Sequence, residues 1–254
     1  MTTIFHHFDN DRTAFLNPSD IISAKPDFPD VCITTFSEKI IEQMAKLRNT
    51  TVAAQLQTAN GTLPVYKTEY KGRQIAFFLS KVGAPACVAG LEEIIALGAE
   101  NLVLFGCCGV LDEKTVKDNI VVPVCAVRDE GTSYHYIPAS DEIYAGENCV
   151  NILKQCMDDL GYPYVTGKTW TTDAIYRETR NLIRERRAQG CLVVEMESSA
   201  AYAVAQFRNI PMIQFLYGAD NLDGEQWDER DLLTYGIDDC DKYVKLAFEC
   251  AVRM

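Results

Sequence analysis

The chain has 254 residues, 48% apolar and 24% charged, a composition that suits a globular protein able to bury a full core without staples. Its formal net charge of −12 excludes a general nucleic-acid binder, which needs a basic face to displace counterions. Ten cysteines and three histidines include no Cys-x-x-Cys pair, so zinc-site spacing is absent and the thiols read as buried groups in a reducing compartment.

Residues 1–30 hold Asn10, Asn17, Pro18 and Pro26 in turn contexts and show little periodicity. They are expected to form an irregular arm over the surface or a neighbouring subunit. The segment from Met1 to Asp9 lacks a basic stretch followed by an apolar one, so no secretory signal is read there. No uncharged apolar run approaches the ~18 residues of a membrane span. A soluble, cytoplasmic protein without membrane partners is the expectation.

The apolar run Val31 to Thr35 predicts a first strand. Ser37 then precedes a helix pattern over 38–47, with apolar positions at 40, 41, 44 and 47. Longer β segments fall within about 50–80, ending in the run Ile75 to Leu79. Pro85 opens a helix through Val88, Leu91, Ile94, Ile95 and Leu97 that stops at Gly98. Strands follow at Leu102 to Phe105 and Ile120 to Val127, and a helix from Glu147 to Leu160 stops at Gly161. The run Leu192 to Val194, a helix over Glu197 to Phe207, a strand over Ile210 to Leu216 and a last helix over Asp228 to Val252 complete the set. Continuous apolar strands alternating with capped helices imply an α/β sheet covered on both faces. The long β segments predict a curved, mixed sheet in a single domain over 1–254, since no Pro/Gly/Ser linker or repeat divides the chain.

The strand at 192–194 breaks into Glu195-Met196-Glu197, followed by the small residues Ser198-Ser199-Ala200-Ala201. Acidic residues at a strand-to-helix junction lie where an open α/β sheet puts its ligand. Asp220, 23 residues after Glu197, ends the second apolar run before the polar segment Asn221-Leu222-Asp223-Gly224. Two carboxylates at two strand ends predict chemistry on a small, polyol-like molecule. An ionised Glu197 can accept hydrogen bonds from vicinal hydroxyls, and Met196 offers a polarisable apolar wall.

This triplet and its spacing to Asp220 resemble the nucleoside phosphorylase family, which includes purine nucleoside phosphorylases, uridine phosphorylases and methylthioadenosine nucleosidases. Two further motifs carry the resemblance, which covers roughly residues 30–254. One is Leu102 to Leu111, with its glycine-bounded turn Gly106-Cys107-Cys108-Gly109. The other is Asp118 to Pro123, leading to Arg128-Asp129-Glu130-Gly131-Thr132-Ser133. The resemblance implies cleavage of a nucleoside N-glycosidic bond, without a cofactor and with inorganic phosphate as co-substrate, by a homo-oligomer, dimer or hexamer. It implies that Glu195, Met196 and Glu197 hold the ribose. Asp220 protonates a leaving purine, which requires burial to raise its pKa toward neutrality so that it holds the proton. Arg230 either assists Asp220 or is a solvated member of a charged run. Trp170 either stacks on the base or is a structural core residue, and Tyr134 and His135 line the same pocket. His6 or His7 either reaches a neighbour's ribose or is a surface histidine.

The phosphate site departs from the family. Thr35-Phe36-Ser37-Glu38-Lys39 stands where phosphorolytic relatives carry Gly-Asp-Pro-x-Arg, and Leu104 stands where they carry an Arg. The acceptor region is therefore read as Lys39, Gly106, Cys107, Cys108 and Arg128. Lys39 lacks the bidentate fork of an arginine. Phosphorolysis and hydrolysis by water both stay open. So do pyrimidine specificity of the uridine phosphorylase kind, for which Thr179 and Asn181 are poor partners, and a binding protein without turnover.

Overall fold

In the computed structural model, residues 3–59 and 61–254 are described. The arm carries one short 3-10 turn, Ile4–His6, and a four-residue helix α1, Pro18–Ile21. Strand β1, Val31–Thr35, leads to helix α2, Glu38–Ala45, whose first turn is capped by the Ser37 side chain. Strands β2 (Thr51–Thr58), β3 (Gly61–Tyr70) and β4 (Arg73–Leu79) form an antiparallel meander. Helix α3, Ala84–Leu97, begins with Pro85 and ends at Gly98. Then come β5 (Asn101–Val110), α4 (Glu113–Val116), β6 (Ile120–Asp129), β7 (Glu142–Tyr144) and α5 (Glu147–Leu160). The chain closes with β8 (Tyr164–Thr172), α6 (Arg180–Ala188), β9 (Cys191–Glu195), α7 (Ser198–Arg208), β10 (Met212–Asn221) and α8 (Cys240–Ala251).

The strands make one mixed ten-stranded sheet, ordered β10-β6-β8-β9-β5-β1-β4-β3-β2, with β7 beside β6. β10 also pairs in parallel with β5. Strands 10, 6, 8, 9 and 5 therefore close on themselves in a ring, and β1, β4, β3 and β2 extend from it. This is the curved mixed sheet expected from the sequence.

Two cores lie on the two faces. One packs α3 and α7 against the sheet through Cys87, Leu91, Ile94, Ala201 and Val204. The other packs α2, α5 and α8 through Ile40, Met44, Leu153, Met157 and Leu246. Both faces of the central strands are covered, which is why β1 and most of β5 read as unbroken apolar runs.

Four of the segments that differ from the sequence-based expectation bear on the site. β8 and α6 were not expected: β8 is rich in Thr, and α6 carries four arginines with few apolar residues. β10 continues past Leu216 to Asn221 because it finds a partner in β5 as far as Val110. The last helix starts at Cys240, not Asp228. Residues 222–239 are irregular, with a 3-10 turn at Leu232–Thr234, and Tyr235 and Gly236 adopt left-handed φ values of 50° and 77° that no α-helix continues through. Among the described residues no helix is long and apolar enough to cross a membrane.

Candidate active site

The ends of β5, β9 and β10 converge where β9 hands over to α7. Glu195, the last residue of β9, is buried and collects four hydrogen bonds. Thr171 Oγ1 (2.7 Å) and Thr169 Oγ1 (3.2 Å) donate to its Oε1. The N–H groups of Glu197 (2.8 Å) and Ser198 (2.6 Å) donate to Oε2. These two amides belong to the first turn of α7, which has no intrahelical acceptors for them. Glu195 is thus the carboxylate that caps α7, with both oxygens occupied by protein donors. Burial raises its pKa, opposed by these same bonds.

Glu197 is 6% exposed. Its Oε1 accepts the Gly83 N–H at 2.6 Å and its Oε2 the Met196 N–H at 3.3 Å. Gly83 precedes α3 at φ 95°, a backbone region that side-chain-bearing residues avoid, and this directs its N–H at the carboxylate. Burial first, then the charge of Glu195, pushes the Glu197 carboxyl up to about 8. Met196 beside it is half-buried.

Asp220 lies within β10, opposite Gly109 of β5, just after a register shift between Gly218 and Asp220. Such a bulge re-aims a side chain. A Cβ on Gly109 would lie 3.3 Å from Asp220 Oδ1, 2.6 Å from Leu222 Cδ1 and 2.9 Å from Val194 Cγ1, so the glycine makes room for the carboxylate. Trp227 Nε1 donates to Asp220 Oδ2 at 2.7 Å. The Cys107 thiol is pushed up to about 11 by burial and then by the charges of Glu197 and Asp220. Cys108 is buried and donates to the Tyr217 carbonyl. A Cβ on Gly106 would meet Phe36 Cδ2 at 2.8 Å.

Asp220 opens into a cavity of about 600 Å³ walled by Ile175, Ile183, Leu222, Trp227 and Leu232. Glu178 shares that cavity. Burial, then the charge of Asp220, pushes its carboxyl up to about 7. Sequence reading missed Glu178 because it lies outside any apolar period. The available signal was its place directly before Thr179, whose hydroxyl caps α6. Lys81 was also missed. It lies two residues before Gly83, is half-buried, and has no hydrogen bond or ion pair with any described residue.

Several expected site residues are committed elsewhere. Arg230 pairs with Glu113 (2.8 Å) and Asp228 (3.3 Å), so it is a member of a surface ion-pair network and not a partner of Asp220. Trp170 is 1% exposed, packs with Leu111, Val127 and Val194, and donates its indole N–H to Asp129 (3.0 Å). It is a core residue outside the cavity. Arg128 is buried, and its guanidinium donates to Ser133 Oγ, Ser140 Oγ and the Pro138 and Ile137 carbonyls, which leaves it no free fork for an anion. Tyr134 stacks beneath that guanidinium at 4.1 Å and donates its hydroxyl to the Arg128 carbonyl. Lys39 is exposed and reaches the Leu233 carbonyl at 3.4 Å. His6, His7 and His135 are exposed. Among the described residues no group of His, Cys, Asp and Glu could hold a metal.

The chain belongs to the phosphorylase superfamily, whose family model matches residues 30–251. Members are phosphorylases or N-ribosyl hydrolases, and this chain is an enzyme of that class. A DeoD-type purine nucleoside phosphorylase of Bacillus cytotoxicus is 24% identical over 189 residues, covering 72% of this chain and 78% of that protein. A DeoD-type enzyme of Bacillus cereus is 25% identical over 157 residues, 60% of this chain and 66% of that protein. The AMP nucleosidase of Bacteroides thetaiotaomicron superposes with a TM-score of 0.71 at 17% identity, covering 88% of this chain and 87% of that one. The purine nucleoside phosphorylase of Toxoplasma gondii, in complex with immucillin-H, superposes with a TM-score of 0.72 at 22% identity, covering 92% of each chain.

Proposed function

We propose that this enzyme cleaves the N-glycosidic bond of purine nucleosides by phosphorolysis. The observation that carries the reading is Glu197, a buried carboxylate fixed by the Gly83 and Met196 amides, with Asp220 on β10 opposite Gly109 of β5. Bond cleavage passes through a ribosyl cation. The sugar must be held, and charge on the departing base must be quenched. Glu197 accepts hydrogen bonds from the ribose hydroxyls, Met196 packs against the ring, and the base enters the apolar cavity beside Asp220. The curated relatives named as purine nucleoside phosphorylases support the purine. No cofactor enters this chemistry. Orthophosphate is the acceptor, with Lys81 as the nearest uncommitted cation in sequence to the Glu197 grip.

A second reading, with water as the acceptor, is favoured by one observation: Arg128 spends four of its five guanidinium N–H groups on protein oxygens. Incubation with a panel of nucleosides, with and without phosphate, separates the two. Phosphorolysis gives ribose 1-phosphate and strict phosphate dependence. Free ribose in phosphate-free buffer would establish the hydrolase. No free base from any nucleoside under either condition would remove the reading altogether.

A further inference from the structure

The cavity beside Asp220 holds a second carboxyl group with unusual surroundings. Glu178 is fixed between the 3-10 turn Ile175–Arg177 and the capping residue Thr179, and its backbone N–H donates to the Ile175 carbonyl. Its carboxyl makes no hydrogen bond or ion pair with any described residue, and the cavity it shares is also lined by Ile175, Ile183 and Leu232. Asp220 is placed differently. One of its oxygens already faces a donor, the Trp227 indole N–H, so a proton on that oxygen would have no acceptor there. Arg180, the cation among the lining residues, donates to the Glu225 carbonyl at 2.6 Å, and Arg230 is paired outside the cavity. The other ionisable groups in the wall are Tyr176 and Glu225, both exposed.

Two carboxyls in one apolar cavity without a committed cation favour carrying one proton between them, as like charges resist joint ionisation. We propose that Glu178 and Asp220 form a carboxyl dyad that supplies the leaving base with its proton, with Glu178 holding that proton in the resting enzyme. The proposal rests on the N-glycosidic reading above. As the bond from the ribosyl carbon to the base breaks, its electron pair stays with the base. The dyad's proton forms the new N–H bond, the acceptor oxygen bonds to the ribosyl carbon, and the dyad recovers a proton from solvent. Glu178 acts here through Asp220 and is a positioning residue. It takes the place that Arg230 was expected to fill. The value of about 7 to which the Glu178 carboxyl is pushed fits a store that is full below neutrality and emptied above it.

The test compares a purine nucleoside with a nitrophenyl riboside, whose leaving group needs no proton, across pH. The ratio of their kcat/KM values cancels Glu197, which both substrates require. In the native enzyme the ratio should fall about tenfold per pH unit above about 7. In Glu178→Gln the fall should begin at least about one unit lower, with the ratio at neutrality reduced about tenfold or more. Glu178→Asp should restore part of the ratio. A ratio with the same pH dependence in Glu178→Gln as in the native enzyme would overturn the dyad, as would equal losses on both substrates. Native enzyme that cleaves neither substrate would instead overturn the reading on which the dyad rests.

Discussion

Replacing Glu197 with Gln should make the protein more stable and the enzyme much worse. An unfolded glutamate ionises near 4.5, whereas in the fold the carboxyl is pushed up to about 8. The sign follows directly. Above 4.5 the unfolded chain gains from ionisation what the folded chain cannot, so stability is lost as pH rises from 4.5 to about 8. At about pH 7 the penalty is on the order of 3 kcal/mol, at ~1.4 kcal/mol per unit. Gln removes it. The amide oxygen still accepts the Gly83 N–H, and the long bond from the Met196 N–H is lost, at a cost of about 1 kcal/mol. The net gain of about 2 kcal/mol should raise Tm by roughly 4–8 °C. Ribose meets the opposite change. One charged acceptor is lost, worth about 1.5–3 kcal/mol, and the other becomes neutral, so kcat/KM should fall about 10²–10³-fold. Ribose hydroxyls favour the ionised carboxylate, so binding expels its proton. Nucleoside affinity of the native enzyme should therefore rise with pH up to about 8 and be flat across that range in the variant. Calorimetry, steady-state kinetics and titration of nucleoside binding read all three. A lower Tm together with near-native turnover would refute both the buried-charge argument and the ribose assignment.

Two further outcomes follow from the tryptophans. Trp170→Phe should lower stability by at least about 2 kcal/mol, through loss of the bond to the Asp129 carboxylate and the cavity left by the smaller ring, read by denaturant unfolding, and leave KM for every accepted nucleoside unchanged; a large rise in KM would return Trp170 to the site. Trp227 lines the cavity and is 58% exposed, so nucleoside entry should change the intrinsic fluorescence of the native enzyme. The change should vanish in Trp227→Phe, and its persistence there would place the base elsewhere.

The strands were legible where both faces are covered. Ile33, Val103 and Val122 lie within uninterrupted apolar runs, and each is fully buried. β8 was hidden because three of its four threonines, at 169, 171 and 172, are buried and two of them spend their hydroxyls on Glu195, a use that hydrophobic periodicity cannot register. The strand-end positions of Glu197 and Asp220 could be read from local sequence. The commitments of Arg128, Arg230 and Trp170 could not, because their partners Ser140, Glu113 and Asp129 come from other segments. Glu178 stayed invisible for the same reason: its neighbour in the cavity lies on β10, on the far side of α7.

The closed ring of strands 10, 6, 8, 9 and 5 divides the site into parts of unequal permanence. Glu197 hangs from β9, and Asp220 with its glycine gap belongs to β10 and β5, strands whose pairing leaves no free edge to slide. The wall proposed to meet the base comes mostly from elsewhere, from residues 175–183 and the irregular stretch 222–232. Insertions or substitutions there can reshape what fits beside Asp220 without moving Glu197, the carboxylate proposed for the sugar. Under the proposed assignment, the surface offered to the base can change through the 3-10 turn, the first turns of α6 and the 222–232 stretch, while the strands that carry Asp220 and lead into Glu197 stay fixed in the ring.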